Sequence, residues 1–196
     1  MNSLLSSLRA AAVAAILVGF VDRSAVAATN LVTNGGFETG DLSGWTQSGN
    51  TGFSGVNSGS ALTGSFGASF GPVGSLGFIS QTLTTVVGGT YQLDYFLSSG
   101  GISTNVFQVS WDGGAVLSLA NVSGFSYTQN SILNLVATST TTTLQFGFRS
   151  DQGFWLIDDV SVVQSGTIQG TPDSGSTLAL LGLALTAVAC VRRRLA

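Results

Sequence analysis

Between residues 29 and 170 the charged side chains are seven carboxylates and one guanidinium: Glu38, Asp41, Asp94, Asp112, Asp151, Asp158, Asp159 and Arg149. Paired carboxylates can hydrolyse glycosides. Asp158 and Asp159, however, are adjacent in a strand-like stretch, and a regular strand points neighbours to opposite faces. The chain has no histidine, which removes a Ser-His-Asp relay and the commonest zinc ligand. Its one cysteine, Cys190, lies outside this segment, which therefore has neither a thiol nucleophile nor an internal disulfide. No glycine loop of the phosphate-cradling kind stands between a strand and a helix. Seven acids against one base argue against a nucleic-acid partner. The expectation is a protein that is not an enzyme.

Exposed aromatic rings can serve as stacking platforms for sugars, with amides and carboxylates nearby for the hydroxyls. The candidate ligand-binding residues are Trp155, Trp111 and Trp45, with Phe53 and Tyr95 beside them. Trp155 leads, because regular alternation sets it opposite Phe154, alongside Ile157 and Asp159. Gln152 and Arg149 are close in sequence and could bond a sugar. The same rings also suit a hydrophobic core.

The elements that must position these groups read as strands. Apolar residues recur at period two in Tyr91, Leu93, Tyr95 and Leu97, in Phe107, Val109 and Trp111, and in Leu144, Phe146 and Phe148. Near the end Phe154, Leu156, Asp158, Val160 and Val162 share one parity, which places a carboxylate on an apolar face. Gly88-Gly89 and Asp112-Gly113-Gly114 are turn signals, the second favouring a tight hairpin. Ser48–Gly77 is Gly/Ser-rich and reads as a long loop with one or two short strands. Many short strands without a helical period predict an all-β, antiparallel β-sandwich over residues 29–164. Gln164–Gly170 reads as a linker, taken as 165–170 in the domain division.

The segment Asn30–Glu38, with Gly44-Trp45 after it, resembles the first strand of galactose-binding-like jelly rolls, a superfamily that includes carbohydrate-binding modules. Phe154–Val162 resembles their last strand, and Ile79–Leu83 and Gly89–Leu93 match strands between. The resemblance implies a jelly roll whose first and last strands are tied by a structural calcium. Glu38 and Asp158 match the ligand positions, with Asp159 and Asp41 as accessories and carbonyls near Gly35 and Gly36 completing the shell. Without metal, Asp158 would be buried and hydrogen-bonded to loop amides, with Glu38 capping a turn.

Both ends carry address signals. Arg9, the apolar stretch Ala10–Val21 and the small residues Ala25-Val26-Ala27 read as a signal peptide over 1–28, or as an uncleaved N-terminal anchor. At the other end a polar motif, an uncharged run Leu178–Val191 and Arg192-Arg193-Arg194 follow in order. As a helix the run would reach about 20 Å, extended towards a span by Ser174–Thr177, and the arginines favour a cytoplasmic end. Pro172-Asp173-Ser174-Gly175 before that run resembles the VPDSG-CTERM variant of the PEP-CTERM sorting signals, with Thr171 where the motif has Val. The resemblance implies a transmembrane sorting helix within 171–196, processing by an exosortase-type enzyme, and delivery to the cell surface or extracellular matrix. The expected role is that of a structural or interaction protein. The alternative is a carbohydrate-binding module attaching to exopolysaccharide.

Overall fold

The computed structural model describes residues 29–102 and 104–167. The signal segment 1–28 and the sorting segment 171–196, including Pro172–Gly175 and Arg192–Arg194, lie outside the described residues. Ten strands follow in chain order: β1 Thr46–Gly49, β2 Ser54–Asn57, β3 Gly67–Phe70, β4 Gly77–Thr84, β5 Gly89–Ser99, β6 Asn105–Trp111, β7 Gly114–Ala120, β8 Phe125–Val136, β9 Thr141–Ser150 and β10 Trp155–Thr167. A single turn of 3-10 helix, Ser58–Ser60, follows β2. Every strand pairing is antiparallel.

The strands form two five-stranded sheets, ordered β1-β4-β9-β6-β7 and β2-β3-β10-β5-β8. The period-two pattern explains the packing. Tyr91, Leu93, Tyr95 and Leu97 of β5 are fully buried, as are Phe107 and Val109 of β6 and Leu144, Phe146 and Phe148 of β9. Their rings interlock between the sheets: Phe70 stacks on Phe148 at 4.1 Å, and Tyr95 meets Phe146 edge-on at 5.5 Å. Each such pair adds about 0.5–1.5 kcal/mol beyond its area. The hairpin between β6 and β7 turns on Asp112 and Gly113, both at positive φ, as its sequence requires.

Strand β10 departs from regular alternation. Asp158 pairs with Phe96 but Ser161 with Asp94, so the strand carries an extra residue there. Asp159 sits in the bulge at φ 51°. Before the bulge Trp155 and Ile157 face inward; after it Val160 and Val162 do. The uniform parity expected for Phe154 through Val162 is thus overturned by one bulge. Asp158 itself is buried, as expected.

The strand also continues further than expected. Gln164, Gly166 and Thr167 pair with Tyr91, Thr90 and Gly89, so the sheet takes in part of the segment read as linker. Strand β10 therefore runs from one end of the sandwich, where Trp155 pairs with Ser99, to the other, where Thr167 pairs with Gly89. At 3.3 Å per residue that is roughly 40 Å.

Candidate functional site

The tryptophans are core residues. Trp155, Trp111 and Trp45 are 0%, 6% and 7% exposed. Each indole N–H donates to a main-chain carbonyl, of Arg149, Val136 and Asn34 respectively. A ring enclosed on both faces cannot stack on a sugar, so their assignment as platforms is corrected. Tyr95 is likewise buried, and its hydroxyl has no partner among the described residues. Of the five aromatics singled out, Phe53 alone is exposed, at 72%.

Glu38, Asp158 and Asp159 each bond to the loop 62–66. Asp158 accepts from the amides of Leu62 and Thr63 at 2.8 and 3.3 Å through Oδ2, and from Asp159 N at 2.8 Å through Oδ1. Thr63 Oγ1 donates to the Asp159 carboxylate at 2.9 Å. Glu38 accepts from Ser65 N and Phe66 N at 3.0 and 3.1 Å. Gly64 makes this approach possible, since a Cβ there would stand 2.2 Å from Glu38 Oε1. Burial pushes the Asp158 carboxyl above its ordinary value, against the pull of those amides. Asp41 is instead taken up in its own turn, accepting from Thr39 Oγ1 and Ser43 N. The Gly35 carbonyl accepts from Val160 N.

Among the described residues no three acidic, histidine or cysteine side chains stand close enough to hold a metal ion by themselves. The donor set still suits a hard cation. The donor atoms would all be oxygens, the loop amides leave acceptor capacity on the carboxylates, and the one guanidinium between residues 29 and 167 is paired with Asp151. Backbone carbonyls and water would have to supply most of the shell.

A second arrangement was not anticipated from the sequence. On the outer side of the first sheet Phe78 pairs directly with Gly147, which in turn pairs with Gln108. A Cβ on Gly147 would lie 2.9 Å from Cε1 of the Phe78 ring, and one on Gly49 would lie 3.0 Å from Cδ2. The ring therefore spreads over two glycines on the flanking strands, one edge above each. Gly147 is buried under it although it faces outward. Around the ring the outer face presents Ser80, Gln145, Gln108 and Ser110, half-buried and uncharged. Only half of the signal lies in the sequence: Phe78 is the one large apolar residue of β4 out of phase with Ile79 and Leu83, whereas its glycine neighbour comes from the pairing with β9.

The fold is the jelly-roll β-sandwich of carbohydrate-binding modules. TmCBM61, solved with β-1,4-galactotriose, matches with a TM-score of 0.58 and 21% identity over 70% of this chain and 99% of that one. The CBM22-1 xylan-binding domain of Xyn10C from Paenibacillus barcinonensis matches at 0.52 and 14%, over 71% and 97%. The K3 adhesin domain of Lys-gingipain from Porphyromonas gingivalis matches at 0.51 and 12%, over 69% and 100%.

The chain carries a VPDSG-CTERM motif over residues 172–195, which marks an exported protein with a C-terminal sorting signal. No curated protein matches the chain. Among the described residues no helix is long and apolar enough to cross a membrane.

Proposed function

We propose that this is a non-catalytic surface or extracellular-matrix protein whose sandwich holds carbohydrate on the outer face of its first sheet. The observation that carries the reading is Phe78 spread over Gly49 and Gly147 amid Ser80, Gln108 and Gln145. A pyranose has an apolar C–H face and a rim of hydroxyls, and this surface offers a ring for one and uncharged amides for the other. Absence of catalysis accords with the state of the acids. All seven carboxylates between residues 29 and 167 accept hydrogen bonds from neighbouring groups, and no histidine is available as a base.

An exosortase-type enzyme would recognise Pro172–Gly175 and process the tail, leaving the sandwich to engage exopolysaccharide outside the cell. Calcium, held by Glu38, Asp158 and Asp159, would fasten the loop 62–66 to the turn that precedes β1 and to β10 as a structural ion.

Calorimetric titration of the full-length protein with β-1,4-galactotriose and with xylotriose tests the reading. Saturable binding that Phe78→Ala weakens about tenfold or more supports it. Binding of neither sugar, or binding indifferent to Phe78→Ala, overturns it.

A further inference from the structure

A cluster of exposed apolar side chains stands at the end of the sandwich where β10 begins. Phe53, Val73, Ile102 and Phe154 all stand in solvent there, at 72%, 48%, 45% and 43% exposure. Phe53, Val73 and Phe154 line a groove of about 190 Å³, closed on its polar side by Ser150 and Asp151. Gly71 forms its floor, where a Cβ would lie 2.9 Å from the Phe154 ring.

The groove is held by bonds between four loops. Gly71 N donates to Phe53 O at 2.9 Å, Asn50 Nδ2 to Val73 O at 2.8 Å, Ser150 N to Pro72 O at 2.9 Å and Gly100 N to Phe154 O at 3.0 Å. Asp151 accepts from Gly74 N at 2.9 Å while Arg149 grips it through Nε and Nη2 at 2.8 and 2.7 Å. Phe53 is costly twice over. Its φ is +54°, a region bulky side chains avoid, and its ring gains little from burial. A strained, solvent-facing phenyl in a rigid frame has no account in the packing, and such outliers point to function.

The groove adjoins the Phe78 surface. Gly49, under one edge of the Phe78 ring, is four residues from Phe53, so at most about 14 Å of chain separates them. Gly147, under the other edge, is two residues from Arg149, whose guanidinium holds Asp151 at the groove rim. The way from Phe78 to Phe53 thus passes a neutralised ion pair and no free charge among these groups.

We infer that face and groove form one continuous track, and that the ligand is a linear oligosaccharide long enough to run from Phe78 over the edge onto Phe53 and Phe154. This rests on the proposed carbohydrate reading and extends it from a sugar class to a chain length. Four apolar side chains are far fewer than the 20–30 residues a stable protein interface uses, but they suffice to cover a sugar ring or two. The exposed Gln152 and the Asp151 carboxylate at the rim supply the polar edge a sugar needs.

Length dependence is the test, using the full-length protein with xylotriose and xylohexaose in calorimetry. The hexaose should bind about tenfold or more tightly than the triose. The double variant Phe53→Ala/Phe154→Ala should lower hexaose affinity to that of the triose and leave the triose unchanged. Both side chains are solvent-exposed, and a matching circular-dichroism melt verifies folding. A double variant that binds hexaose as the wild type does overturns the track and leaves the face reading standing. Equal loss of both sugars also overturns the track, since the groove alone would then be the site. Binding of neither sugar overturns track and face reading together.

Discussion

Gly147 lies directly beneath the ring of Phe78, its cross-strand partner, with room for a hydrogen and for nothing larger. The surface proposed to take sugar is therefore set by the absence of a side chain as much as by the presence of a ring.

Gly147→Ala tests that relationship. The new methyl would stand 2.9 and 3.1 Å from Cε1 and Cδ1 of Phe78, so the ring must swing away. Sugar affinity should fall about tenfold, which is about 1.4 kcal/mol. Melting should shift by only a few degrees, because the displaced ring can move into solvent. Calorimetry of binding and of unfolding on one preparation reads both, and unchanged affinity would show that the resting position of the ring is immaterial.

Phe53→Gly should stabilise the protein and weaken it as a binder. Glycine removes the cost of a left-handed conformation, and the ring it deletes is mostly in solvent, so a gain of roughly 1 kcal/mol is expected. Xylohexaose affinity should drop at the same time. A fall in melting temperature would mean that Phe53 is a packing residue after all.

Chelation addresses the acid cluster. Calcium bound only to the native state would add about 2.7 kcal/mol at a hundredfold excess over its dissociation constant. EDTA should then lower the melting temperature, and Asp158→Ala should erase that response. Identical melting curves before and after verified metal depletion would leave main-chain amides, those of the loop 62–66 and of Asp159, as the partners of Glu38 and Asp158.

Acid titration reports on the ion pair at the groove. The bonds from Arg149, aided by Gly74 N, hold the Asp151 carboxyl at about 2, below its ordinary 3.8. A depressed native value stabilises the fold above the unfolded value and ceases to do so as pH falls through the native one. The stability difference between wild type and Asp151→Asn should be constant above about pH 5, shrink as pH falls and be lost only below about pH 2. Asp158 has the opposite sign: its raised value makes its ionisation cost stability as pH climbs past 3.8. A difference that persists undiminished at pH 2 would disprove the role of the pair.

The sandwich was legible because inward residues alternate strictly on β5, β6 and β9, where Tyr91 through Leu97, Phe107 through Trp111 and Leu144 through Phe148 keep their phase. Alternation failed on β10, because a bulge at Asp159 resets the phase and nothing in the residue types announces it. That one slip moved Trp155 from solvent to core. The acid cluster was legible through Glu38 and Asp158, at opposite ends of the domain sequence. The Phe78 surface was not, because it depends on which glycine lies across the strand, and pairing between β4 and β9 spans 57 to 71 residues of chain. The Phe53 groove draws on four loops, and although the sequence points to Phe53, Gln152 and Arg149 as possible sugar contacts, nothing in it says that they meet.

Strand β10 is flanked on both sides, by β3 and β5, and it leads away from the aromatic end to Thr167 at the far end. A polymer held at Phe53 and an anchorage following Thr167 would pull along this strand from opposite directions. Since Phe53 adjoins β2, such tension would reach β10 through the β2–β3 and β3–β10 ladders and load them lengthwise, their bonds sharing it instead of parting one after another. If the proposed sugar track and an anchorage both hold, the middle of the second sheet would act as a tie-rod between them.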